Sequence, residues 1–213
     1  MHITEHYIPA LRYRWLTPLF DPMCTWIMHE EVFKKRLIDQ VKLRPGMHLL
    51  DVGCGTGTLT MMIKHASPQV EVTGMDVDPA ILEVARKKTI QADMDINFDL
   101  GMAFSLPYPE NYFDRVVSSM VMHHLTRENK IKTFQEIYRV LRLEGELHLV
   151  DFGPPSNIYA RLSSMVMQKF EEMEDNVNGK LITFIRTAGF TLAVETGRYN
   201  TVFGTLTFYM AVK

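Results

Sequence analysis

Cysteine is nearly absent from this chain: Cys24 and Cys54 are the only two in 213 residues. That is too few for a disulfide framework or a cysteine-rich zinc site, so the composition points to a reducing, cytoplasmic setting and implies no metal. Long apolar runs are missing as well. No stretch reaches about 18 uninterrupted apolar residues, and no basic leader with an apolar core and a small-residue cleavage site opens the sequence. The expectation is a protein that neither spans a membrane nor is exported by a recognisable signal. An excess of charge of one sign is also lacking: 23 Lys and Arg stand against 25 Asp and Glu, a formal net charge of −2. The electrostatic attraction on which nucleic-acid binding depends is therefore absent, and no nucleic-acid partner is expected. Repeats and low-complexity tracts do not occur.

What is present is an ordinary globular composition, 46% apolar and 23% charged, in a length suited to one α/β domain of about 150 to 180 residues with an accessory element. From Met47 onward, short apolar runs alternate with helical-period segments, the pattern of a parallel sheet with crossover helices. Strands are expected near Met47–Val52, Val70–Asp76, Asp95–Asp99, Phe113–Ser119 and Glu146–Asp151, with helices near Thr58–Ala66, Pro79–Gln91 and Arg127–Arg142. In the last helix Ile131, Phe134, Tyr138 and Leu141 share a face, leaving Arg127, Lys130 and Arg139 to water. A short helix over Lys180–Ala188, closed by Gly189, precedes two β-rich runs parted by a turn-forming stretch around Gly197–Asn200. Strands this close leave no room for a crossover helix, so they must be antiparallel. Met23–Val41 and Ile158–Met173 are amphipathic segments that either cover core surface or roof a pocket. This divides the chain into a helical N-terminal or lid segment (1–44) and a main domain (45–213) with a helical insertion at about 156–176.

The chemistry is concentrated in "LLDVGCGTGTL", Leu49 to Leu59. A dinucleotide fingerprint would place its third glycine at position 58, which is Thr58, and a triphosphate loop would need a Gly-Lys-Ser/Thr tripeptide that does not follow. The pattern is instead Gly53, Gly55 and Gly57 behind Asp51. Bare backbone at these glycines admits a ligand, and the next helix turns its free N–H groups toward the same place. An acid at the mouth suits an ammonium better than a pyrophosphate. Asp76 ends the second strand about 20 residues after the last glycine, where an open α/β sheet places the carboxylate that binds ribose hydroxyls. The ligand should carry an amine, a carboxylate and a ribose.

With these motifs the sequence resembles the class I S-adenosylmethionine (SAM)-dependent methyltransferases. "LLDVGCGTG" is similar to their first motif and "VTGMDVDPAIL" to their second. "LPYPENYFDRVVSSMVMHHL" resembles the stretch around the fourth strand, and "FQEIYRVLRLEGELHLVD" the helix and strand that follow. The overall pattern most resembles the small-molecule enzymes that include the quinone C-methylating group. The resemblance implies a Rossmann-like α/β fold, a seven-stranded mostly parallel sheet with an antiparallel last strand. It implies SAM as cofactor, S-adenosylhomocysteine as product and a small, apolar or aromatic acceptor methylated at O, N or C. It assigns Asp51, Gly53, Cys54, Gly55 and Gly57 to the methionine part and Asp76 to the ribose. Val77 would pack on the adenine, and the backbone near Ser119 would receive the amino group. Two departures stand out. Where the family has Gly-Asp-Ala this chain has Gly101, Met102 and Ala103, so the adenine acceptor is missing and backbone N–H groups of Met102 and Ala103 are left to contact the ring. Glu144 in "RLEGE" occupies a position where the family prefers glycine.

SAM carries an already activated methyl, so the protein's tasks are alignment and exclusion of water, with a base only where the acceptor must lose a proton. His123 and His124 follow the fourth strand and are the candidate bases, against the plainer reading of a packing feature. The aromatic segment His6–Phe20, with Tyr7, Tyr13, Trp15, Arg12 and Arg14, is a lid, a packed terminal segment, or a contact with a membrane surface holding a lipid-soluble acceptor. Cys54 reads as a small filler. The runs Lys34, Lys35, Arg36 and Arg86, Lys87, Lys88 read as solvated helix faces, and Met75, Met102, Met120 and Met122 flank strand ends where a pocket would lie. Competing readings are a non-catalytic SAM or S-adenosylhomocysteine binder, with Met102 as the hint, and an NAD-dependent oxidoreductase, disfavoured by Thr58.

Overall fold

A parallel sheet needs both faces covered, and the sequence supplies the means by alternating which side each strand residue points to. The computed structural model describes residues 30–167 and 172–213, so Met23–His29 and the whole His6–Phe20 segment lie outside the described residues. The strands are β1 (His48–Val52), β2 (Glu71–Asp76), β3 (Asn97–Leu100), β4 (Phe113–Ser119), β5 (Leu141–Phe152), β6 (Leu192–Thr201) and β7 (Gly204–Val212). The helices are α1 (Glu30–Val41), α2 (Thr58–Ala66), α3 (Pro79–Gln91), α4 (Arg127–Val140), α5 (Ile158–Met167), α6 (Glu174–Val177) and α7 (Leu181–Thr187), with a 3₁₀ turn at Met122–His124.

The seven strands are ordered β3-β2-β1-β4-β5-β7-β6, and β7 alone runs against its neighbours. Leu50, Val52, Val116, Leu147 and Leu149 face Phe134 and Ile137 of α4 and Leu181 and Ile185 of α7. Their sequence neighbours Leu49, Val117 and Val150 face the other way, onto Phe33, Leu37 and Val41 of α1 and Leu59 and Ile63 of α2. The described part of the N-terminal segment is thus a core-bearing helix packed on the sheet. The strand order reverses between β1 and β4, which opens a crevice at their carboxyl ends, the usual ligand site of such sheets. Helix α3 starts directly after β2 and is capped there: Asp78 accepts from the Ala80 N–H at 2.8 Å, with Pro79 at the first helical position.

Several expectations need correction. The hairpin turns at Val202 and Phe203, between the ends of β6 and β7, whereas Gly197 sits inside β6 at a register shift. Its missing side chain leaves room for the Arg36 guanidinium, which donates to the Arg198 carbonyl at 3.0 Å and lies 4.7 Å from the centroid of the Phe208 ring. Helix α4 ends at Val140 and passes directly into β5, which starts at Leu141 instead of Glu146. Lys130, expected in water, is buried, its Nζ donating to the Glu172 carbonyl at 2.5 Å. Lys34 is buried too and pairs with Glu30. Met75 and Met122, expected near a pocket, are fully enclosed in the core. The roof segment begins as expected with α5, but Met173 caps the separate short helix α6.

Candidate cofactor and acceptor site

The glycine loop is pinned to the end of β2. Gly53 and Cys54 both donate N–H to the Met75 carbonyl, at 2.8 and 3.0 Å, and Gly55 donates to Asp76 Oδ2 at 2.9 Å. Gly53, Gly55 and Gly57 all adopt left-handed backbone, with φ of 71°, 54° and 76°. The reasons for glycine differ. A side chain at 53 would overlap Val121, and one at 57 would press Ala85 and Phe98, each at 3.1 Å. Around Gly55 no atom lies within 4 Å of the absent Cβ, so this glycine leaves a bare cradle between the strand ends. Cys54 packs with Leu82, Ala85 and Phe98 beneath the loop, and burial, with the nearby Asp51 and Asp76 charges, drives its thiol well above the ordinary value.

Asp51 points to the α1–α2 side and accepts the Thr60 hydroxyl at 2.7 Å. It is wholly buried, and that burial pushes its carboxyl up to about 6 against the opposing pull of the Thr60 bond and the Lys34 charge. Asp76 uses its second oxygen to accept from the Asp78 N–H at 3.0 Å. Each of its oxygens keeps a lone pair for a further donor. Val77 follows, half-buried. Met102 and Ala103 sit in a tight turn, with the Ser105 N–H on the Met102 carbonyl at 3.0 Å, and the turn is tethered to the end of β2 by the Gly101 N–H on the Asp76 carbonyl at 3.0 Å. Ser119 ends β4 beside the loop, and its buried hydroxyl has no hydrogen-bond partner. Beyond it Met120 takes a left-handed φ of 62°, a bend that a long side chain adopts only when its surroundings enforce it.

Asp151, at the carboxyl end of β5, does the enforcing. Its Oδ2 accepts from the Val121 and Met122 N–H groups at 2.9 and 2.7 Å, and its Oδ1 accepts from His123 Nδ1, the Phe152 N–H and Asn176 Nδ2 at 2.8, 2.8 and 3.0 Å. Burial is the largest influence on this carboxyl and would raise it, but the His123 charge and the converging donors together hold it below its ordinary value. Since the carboxylate only accepts, it is Nδ1 of His123 that donates to it. The His123 ring is buried, edge-on to Phe152 and 4.0 Å from the His124 centroid.

The structure therefore gathers Asp51, Gly53, Cys54, Gly55, Gly57, Asp76, Val77, Met102, Ala103 and Ser119 around the ends of β1, β2 and β4, with His123 and His124 at the adjoining rim. Sequence reasoning missed Thr60, Asp151 and Asn176. For Asp151 a signal existed, an acid closing a central strand at the ligand edge. For Asn176 there was none.

A family model described as a methyltransferase domain matches residues 49–145. The demethylmenaquinone methyltransferase of Symbiobacterium thermophilum is 33% identical over 142 residues, covering 65% of this chain and 56% of its own. That of Listeria monocytogenes is 30% identical over 168 residues, 73% of this chain and 70% of its own. A SAM-dependent methyltransferase structure from Aquifex aeolicus superposes with a TM-score of 0.67 at 15% identity, covering 98% of this chain and all of the other. The chain spans little more than half the length of the first of these relatives. Fold, site and relatives together place the chain in the class I SAM-dependent methyltransferase family, whose cofactor is SAM. The residues present fit that group: an open cradle at Gly55, an unpartnered hydroxyl at Ser119, and a partly exposed carboxylate at Asp76 on the edge of the loop.

Proposed function

We propose that this chain transfers a methyl group from SAM to a small acceptor with an aromatic or apolar ring, and that the acceptor belongs to the quinone class named in its relatives. The observation that carries the reading is the three-glycine loop hydrogen-bonded to the strand bearing Asp76, with the cradle open at Gly55. When bound, SAM supplies the electrophilic methyl, so the chain has only to hold and align. Asp51 and the bare loop hold the amino-acid end, Asp76 the ribose, and Val77 with the Met102–Ala103 backbone the adenine. At the rim, Asp151 orients His123 by accepting from its Nδ1, which makes His123 the candidate to take a proton from the acceptor as the new bond forms. The exposed Ile158, Tyr159 and Leu162 of α5, next to Val202 of the hairpin tip, whose carbonyl accepts from the Tyr159 hydroxyl at 3.3 Å, support contact with a membrane surface where a lipid-soluble acceptor resides.

The test is methyl transfer from labelled SAM to a panel of demethylated quinones and simple phenols, with His123→Asn and His124→Asn alongside. His123→Asn is expected to lower kcat by about 10²-fold while SAM affinity stays within about twofold. SAM binding without turnover on any acceptor would favour a binding protein, and unchanged turnover in both variants would remove the histidines from the mechanism.

A further inference from the structure

Lys88 belongs to a run of cations, Arg86-Lys87-Lys88, whose sequence suggests nothing more than a wet helix surface. In the fold it does something different. Its Nζ crosses from α3 to the glycine loop and donates to Thr56 Oγ1 at 2.9 Å and to the Thr56 carbonyl at 3.3 Å. We infer that Lys88 is a positioning residue for the cofactor, a latch that sets the curvature of the loop through Thr56.

Thr56 lies between Gly55 and Gly57, both at positive φ, so the stretch with the least intrinsic backbone restraint is where the latch attaches. The other anchors lie at its flanks: Gly53 and Cys54 on Met75, Gly55 on Asp76, and Gly57 on the Cys54 carbonyl at 3.0 Å. None of them holds the carbonyl at the loop's apex. An ammonium only donates, so Thr56 Oγ1 accepts from Lys88, and Thr58 Oγ1 lies 3.5 Å further on, where either hydroxyl can be the donor. Charge assistance makes this contact stronger than a neutral one. Gly55, whose open surroundings form the cradle, is the residue immediately before Thr56. A latch on Thr56 therefore acts on the cradle without touching the reacting atoms.

The inference rests on the reading that this loop holds SAM, and titration calorimetry separates the two. Wild type, Lys88→Met, Thr56→Val, the double variant and Lys88→Arg are titrated with SAM and with S-adenosylhomocysteine. Wild type should bind both; if it binds neither, the cofactor reading itself fails. Lys88→Met should raise both dissociation constants about five- to tenfold, through loss of the charge-assisted contacts to the Thr56 hydroxyl and carbonyl, with the melting temperature of the unliganded protein unchanged. Thr56→Val should weaken binding in the same direction. The double variant should be no weaker than Lys88→Met by more than about twofold, and Lys88→Arg should recover most of the affinity. Wild-type affinity in Lys88→Met, or single effects that multiply fully in the double variant, would overturn the latch. Should Lys88→Met not fold, Lys88→Gln serves the same cycle with a polar side chain of similar reach.

Discussion

Asp51 is the residue at which binding and stability are most directly opposed. Its carboxyl is buried and raised from 3.8 to about 6, so the folded protein holds the proton more tightly than the unfolded chain. Between those values the folded state carries more protons, and stability falls as pH rises, by about 3 kcal/mol in total once the acid is ionised. The cofactor ammonium proposed to lie beside Asp51 would reverse this, because it favours the charged form. SAM affinity is therefore expected to rise with pH up to about 6 and then level off, and Asp51→Asn should abolish that dependence. At pH 7 the same variant should bind SAM at least about tenfold more weakly, yet unfold at higher urea concentration than wild type without ligand. Calorimetric titration from pH 5 to 8, paired with urea unfolding, reads both signs; an Asn variant that is less stable without ligand would refute the account.

Among the elements, the junction of α4 and β5 shows a residue at odds with its backbone. Leu141 already pairs with Phe113, the register then shifts before Arg115 meets Glu146, and the chain absorbs the extra length at Glu144, held at φ 61°. The left-handed conformation costs a side-chain-bearing residue about 1 to 2 kcal/mol, and glycine avoids it. Glu144→Gly should raise the unfolding free energy by about 0.5 to 1 kcal/mol after the entropy glycine adds to the unfolded chain, measured in urea with an unchanged m-value. Here the sequence was informative, since the resemblance already marked Glu144 as standing where the family prefers glycine. The alternation of strands and helices, the lone antiparallel strand and the glycine loop were equally legible, because each is written in local periodicity or in the backbone demands of glycine. Other features were not. "GRYN" has the composition of a turn, but Gly197 answers to Arg36 from a helix more than 150 residues earlier. Lys130 lies on a face that helical spacing assigns to water, and only the carbonyl of Glu172 and the carboxylates of Asp151 and Asp175 nearby make its burial tolerable. Partners so distant in sequence leave no local trace.

For the whole molecule, a ligand bound by the folded state alone must raise its stability. At a SAM concentration about 100 times the dissociation constant the gain is about 2.7 kcal/mol, or roughly 5 to 10 °C in melting temperature for a chain of this size. S-adenosylhomocysteine should act similarly and NAD should not; a shift with NAD alone would contradict the family assignment. No helix among the described residues is long and apolar enough to cross a membrane.

The five donors that converge on Asp151 come from the start of the loop after β4, from β5 itself and from α6. None of these three segments can shift alone without stripping an acceptor in a dry interior. These three segments consequently behave as a single rigid casting, and a change that loosens one of them should loosen the other two with it.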